Sequence, residues 1–342
     1  MKFCHYIFLS AILTFTFESC KTESKEHDYS PEKLAIFKQL ESYPDSIQIG
    51  GINFQYGFKN QMLAHLKGNY DSTLITEKFH KPNQYLFDSC FNFFPDKIYT
   101  LPEVIKWNKT YLIDNDSIVW KQIKFLLEKN IDSLIRSHAK GVQDLTGIVS
   151  DAKFLLYLPP YGFGISGGCN TMSMSFDMMY KIEDEKYIQQ VIPHEVEHTV
   201  YENMMGDDPY FSTGIGVIID EGLASFFEHK YLNISAFDVL NEHEWFMENE
   251  KEIFEKLSPY FLKPNTEDNR ILYHVNRNNN LEPLIDNAPS KLAVQNLGYN
   301  LGFRIVESYE KINGTDSWKD VYMLSPKEFL EKSGYEDYIK SL

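Results

Sequence analysis

The sequence predicts an α+β fold, with a small, mostly antiparallel sheet, a helix carrying paired histidines, and a mainly helical C-terminal part. Three observations predict it. The run KFLLYLPP, residues 153–160, is short, apolar and stopped by two prolines, and TMSMSFDMM, residues 171–179, alternates polar with apolar side chains; both are strand patterns. The stretches around them repeat apolar residues at helical spacing. Finally, 342 residues with 43% hydrophobic and 15% aromatic side chains suffice for one large core, or for two subdomains sharing a cleft.

The chain opens with MKFCHYIFLSAILTFTFESC. Lys2 gives a short positive start, and residues 3–17 form an uncharged apolar run of signal-peptide length, too short to span a bilayer. Ser19 before Cys20 resembles the end of a bacterial lipoprotein signal, so residues 1–19 are read as the signal and Cys20 as the lipidated anchor. Phe17 and Glu18 depart from the usual pattern before the cysteine, and an ordinary secretory signal is the alternative. Either way the mature protein is exported: anchored in a bacterial cell envelope, or secreted if not lipidated. Residues 20–33 are polar and aperiodic, as a flexible tether is. Cys90 and Cys169 then face an oxidising compartment, either paired or as separate buried thiols. No CxxC occurs to suggest a thiolate metal site.

From residue 34 to 342 the pattern is that of one globular domain. LAIFKQLESY, NQMLAHLKG and SIVWKQIKFLLEKNIDSLIRSHAK carry helical spacing. The connection YGFGISGGCN lacks both the Lys-Ser/Thr ending and the G-x-G-x-x-G spacing of phosphate loops, so it is read as a flexible link between strands. EDEKYIQQVIPHEVEHTVYENM, 183–204, and GVIIDEGLASFFEHKYL, 216–232, are helices joined by GDDPYFSTG. Pro193 cannot donate a backbone hydrogen bond, so it either starts the first of these or kinks a longer one. Beyond 232 the chain is mostly helical, with a polar break at NRNNN. The net charge of −16, without a basic stripe, excludes nucleic acid as a partner.

The segment IPHEVEH carries the chemistry. Residues four apart on a helix lie one above the other, so His194 and His198 can aim two imidazoles at one Zn²⁺. Glu195, rotated by about 100°, reaches the rim, where it can hold a water rather than the ion. A catalytic zinc needs a third protein ligand and one open position. The metzincin route is closed, because Tyr201 and Met204 stand where it needs a glycine and a third histidine. Glu221 of the next helix is the expected third ligand, and small Gly222 and Ala224 beside it would let that helix and the motif helix approach closely around the ion. Glu202, Glu228 and His229 compete for that place. Asp220 is either an acceptor for a ligand histidine or a solvent-facing carboxylate. Zinc held this way lowers the pKa of a bound water, and Glu195 would take its proton as it attacks a carbonyl.

These four residues, His194, Glu195, His198 and Glu221, resemble the H-E-x-x-H plus distant Glu arrangement of gluzincin metallopeptidases. EGLASFF, and GYNLGFRIVESYEK at 298–311, are similar to segments of a predicted bacterial zinc-dependent protease family (DUF2268). A more distant similarity links the C-terminal segment to gliding-motility lipoproteins. The resemblance covers about residues 150–312. It implies a gluzincin-like fold, one catalytic zinc ion, a peptide or protein substrate, and Tyr299 as the donor to the tetrahedral oxyanion, with His274 the second candidate. A core aromatic is the other reading of Tyr299. An extended peptide would pair with the edge of the sheet at TMSMSFDMM. Two further readings stay open: a non-catalytic envelope lipoprotein that keeps the fold for binding in a gliding or secretion machine, and a zinc hydrolase of a non-peptide amide.

Overall fold

The computed structural model describes residues 29–66, 70–90, 99–114, 116–149, 151–158, 165–168, 171–175, 185–265, 285, 288–289 and 297–342. The signal segment with Cys20, and also Cys169, His274 and the NRNNN break, lie outside the described residues.

Five strands form one sheet among these residues. They are β1 (Ser46–Ile49), β2 (Ile52–Tyr56), β3 (Lys153–Tyr157), β4 (Ile165–Gly168) and β5 (Thr171–Ser175), in the order β1-β2-β3-β5-β4. The hairpin β1–β2 turns at Gly50, whose φ of 55° a side chain tolerates poorly. The sheet is mixed rather than mostly antiparallel: β2–β3 and β3–β5 run parallel, and only the outer pairs β1–β2 and β4–β5 are antiparallel. The reason is connectivity. The helices between β2 and β3 return the chain in its original direction, whereas between β3 and β5 it is the intervening strand β4, antiparallel to β5, that reverses the chain and lets it come back parallel to β3. The α+β class stands.

Two expectations about the glycine-rich segment change with it. Ile165–Gly168 is not a flexible link but strand β4, paired with Met174–Thr171 of β5. Consequently β5 is interior, flanked by β3 and β4, and the outermost described strand on this side is β4. The remainder of TMSMSFDMM beyond Ser175 lies outside the described residues.

Strand β3 is buried on both faces. Phe154 and Leu156 join the main core, where Phe154 stacks on Phe54 at 4.7 Å. Leu155 and Tyr157 join a second cluster with Phe79, Phe87 and Tyr99. The first half of the domain therefore supplies a hairpin and a backing layer to the sheet. Its first helix, Pro31–Ser42, begins inside the expected tether, capped by the Ser30 side chain accepting from the Lys33 amide. The long helical run after Asp116 is two helices, Asp116–Glu128 and Ile131–Thr146, interrupted at Asn130 with φ 48°.

The site is built from three helices. The motif helix, Glu185–Met205, runs uninterrupted through Pro193 and buries Ile192, Val196, Val200 and Tyr201 completely. It packs against Ile131–Thr146 and against the helix Gly214–Leu232, which also touch each other where His138 meets Tyr231. Gly214–Leu232 ends at Asn233, in the left-handed conformation that closes many helices. It also crosses a third helix, Leu297–Asn313, in the most extensive helix contact of the fold. Two glycines meet at that crossing. A Cβ on Gly302 would stand 1.8 Å from the carbonyl oxygen of Ile218, and one on Gly222 would stand 2.1 Å from the carbonyl carbon of Gly302. Gly222 thus serves the crossing with Leu297–Asn313 and not, as its sequence position suggests, the approach to the motif helix.

A buried carboxylate ties the C-terminal helices to this frame. Glu250, 1% exposed, accepts from Arg304 Nε at 2.7 Å, Tyr335 Oη at 2.8 Å and Tyr338 Oη at 3.0 Å. Three donors, one of them a guanidinium, offset the several kcal/mol that burying a lone carboxylate costs. No described helix is long and apolar enough to cross a membrane.

Candidate metal centre

The motif helix and Gly214–Leu232 bring three of the expected residues to one point. His194 Nε2 and His198 Nε2 are 3.2 Å apart. Glu221 Oε2 lies 3.3 Å from the second and 3.8 Å from the first. Ligands about 2.0–2.1 Å from a tetrahedral zinc stand about 3.3 Å from one another. The triangle of two nitrogens and one oxygen has this size, and the donor set is one that zinc takes. These residues therefore fit a zinc ion.

The other expected residues surround the triangle. Glu195 is buried, and it places a ligating oxygen within 4.8 Å of ring nitrogens of both histidines. Burial pushes its carboxyl pKa up, partly opposed by the two imidazoles. Asp220 accepts from His198 Nδ1 at 2.8 Å, so it is not a solvent-facing carboxylate. A carboxylate there fixes the tautomer of the ring and aims Nε2 at the triangle. Tyr299, from the first turn of Leu297–Asn313, lies parallel to His194 with ring centroids 6.1 Å apart, and its hydroxyl is close enough to feel the Glu221 carboxylate. Burial and then the Glu221 charge hold that hydroxyl well above its usual pKa, so it stays a donor. Of the competing ligands, Glu228 faces His194 Nδ1, the nitrogen turned away from the triangle, at 3.6 Å. His229 is directed elsewhere, its Nδ1 on the carbonyl of Ile234.

Sequence reasoning missed Glu197, which sits between the histidines in the motif. It is fully buried, and its Oε1 accepts from Tyr322 Oη at 3.0 Å. Burial pushes its pKa to about 8. The available signal was a charge on a helix face shared with Val200 and Tyr201, where burial forces a partner. Tyr322→Phe removes that donor. It is expected to destabilise the protein by about 1–3 kcal/mol, read from the urea midpoint.

Acidic neighbours also set the pH response. Burial opposes charging of His194, but Glu221 and Glu228 outweigh it and lift its pKa to about 9 from 6.5. Both this histidine and Glu197 have pKa values raised on folding, so both bind protons more tightly in the folded state. The His194 contribution to stability is complete below 6.5 and lost as pH rises through about 9; that of Glu197 is complete below 4.5 and lost through about 8. In the presence of a chelator, the melting temperature should fall from pH 6.5 to 9. Added zinc should raise it most at the alkaline end, because metal binding needs the ligands deprotonated.

Comparison with known proteins bears on the same segment. Residues 162–331 match a family model described as predicted Zn-dependent protease (DUF2268). The match spans all three helices of the centre. The similarity to gliding-motility lipoproteins is not among these findings, and searches of curated proteins and of solved structures found no match.

Proposed function

We propose, from the premise that the chain belongs through residues 162–331 to the DUF2268 family of predicted Zn-dependent proteases, that it hydrolyses peptide bonds at the His194–His198–Glu221 centre. The observation that carries this reading is the triangle of Nε2, Nε2 and Oε2 atoms at zinc-ligand spacing, with a buried carboxylate beside it. Zinc in such a site polarises a carbonyl and activates a water for attack.

The chain's own residues supply the rest. Glu195 takes the proton of the attacking water and passes it to the leaving amine, a transfer suited to a carboxyl group whose pKa burial has raised. Asp220 keeps His198 in the tautomer with Nε2 free to ligate. Tyr299 lies beside the ligand carboxylate in the ground state and supplies its hydroxyl to the oxyanion as charge develops on the substrate carbonyl. An extended peptide would gain backbone hydrogen bonds along β4, an outermost described strand of the sheet. We also propose that the chain is exported and held at an envelope membrane through a lipid on Cys20, on the strength of its N-terminal sequence.

Metal analysis of the purified soluble body, with a screen against a peptide library, tests the function. One equivalent of zinc, and hydrolysis that stops on chelation and returns with zinc, is the expected result. A chain that binds zinc but cleaves no peptide, while cleaving a non-peptide amide or holding a partner, would replace this reading with one of the other two.

A further inference from the structure

One buried acid in this neighbourhood has a single described polar partner. Glu228 is 6% exposed and lies on the Gly214–Leu232 helix, seven residues after Glu221. Seven residues make nearly two turns, so the two side chains leave the same face of the helix about 10.5 Å apart along its axis. His194 fits between them. Its Nε2 looks towards Glu221 and its Nδ1 towards Glu228 Oε2, at 3.8 Å and 3.6 Å. Among the described residues no other group faces Nδ1, and Glu228 makes no other polar contact.

We propose that Glu228 is the positioning residue for His194, accepting the Nδ1–H of its imidazole and thereby presenting Nε2 to the metal. Burying a carboxylate costs several kcal/mol unless a donor meets it, and the Nδ1–H of His194 is the donor within reach. At 3.6 Å the pair stands just outside hydrogen-bonding range, which a small rotation of either side chain closes. With Asp220 on His198, one helix then delivers the third ligand and an acceptor for each histidine. Glu228 is accordingly excluded as a ligand, since it meets the nitrogen that carries the proton.

This inference rests on the zinc reading for its function but not for its test. Two measurements separate them: zinc affinity by competition with a chromogenic chelator, and the ¹⁵N shifts of the His194 ring in metal-free protein, followed with rising pH until the shifts themselves show the ring neutral. Wild type should show His194 mainly with its proton on Nδ1. Glu228→Ala should move the proton towards Nε2 and weaken zinc binding about 10–100-fold, while Glu228→Gln, which keeps an acceptor oxygen, should restore the tautomer and most of the affinity. A His194 tautomer unchanged in Glu228→Ala overturns the proposal, as does zinc affinity equal to wild type. Should wild type bind no zinc at all, the zinc reading falls, and the ring shifts still decide the role of Glu228. If Glu228→Ala does not fold, Glu228→Gln against Glu228→Leu makes the same comparison.

Discussion

Glu195→Gln is expected to bind one equivalent of zinc as tightly as the wild type and to hydrolyse peptides about 10³-fold more slowly. The substitution keeps the size of the side chain and removes its ability to accept a proton, and general-base catalysis contributes about 10²–10⁴-fold. Glu195 is not at a corner of the ligand triangle, so metal content should not follow activity down. His194→Ala and Glu221→Ala give the opposite signature, losing metal and activity together. Elemental analysis beside a fluorogenic peptide assay separates the two patterns. Full activity in the glutamine variant would remove Glu195 from the mechanism.

The second large effect is expected far from any reacting atom. Gly302→Ala would drive a methyl group onto the Ile218 carbonyl and towards Gly222 Cα, at 1.8 and 2.8 Å. Overpacking normally costs about 1–3 kcal/mol because side chains can shift. Here the obstacle is backbone, so about 3 kcal/mol or more is expected from the urea midpoint. The helices must separate, and with them Glu221, one residue before Gly222, and Tyr299, three residues before Gly302. Zinc affinity should therefore fall along with stability. Gly222→Ala should do the same, and the double variant should cost less than the two singles combined, because both methyl groups crowd one gap.

The legible parts of this molecule are those set by short spacings. His194 and His198 share a face because they lie four apart on one helix, and a histidine pair with a glutamate between narrows the chemistry at once. Glu221 and Asp220 were within reach because only a short loop separates their helix from the motif. Glu228 was legible as a candidate but not in its place: whether it meets Nε2 or Nδ1 depends on the height at which two helices pack, which no local pattern encodes. Tyr299 came from family resemblance alone. The sheet was legible strand by strand at KFLLY and TMSMS, but its parallel centre was not, since β2 meets β3 across nearly a hundred intervening residues. Gly167 and Gly168 pointed to a loop, and pairing with β5 overrides that local preference. The hairpin at Ser46–Tyr56 stands outside the expectations, although its alternation around Gly50 and Gly51 is a recognised hairpin signal.

The anchorage at Glu250 has a mechanical consequence. Two of its three donors belong to the helix Tyr335–Ser341, and the third, Arg304, rides on the same helix as Tyr299. Peeling the last helix away would leave a sequestered anion with one counterpart, so fraying there is resisted by more than its own few contacts. Breathing motions in this half of the molecule should therefore be collective, with the final helix and the tyrosine-bearing helix opening as a unit rather than turn by turn.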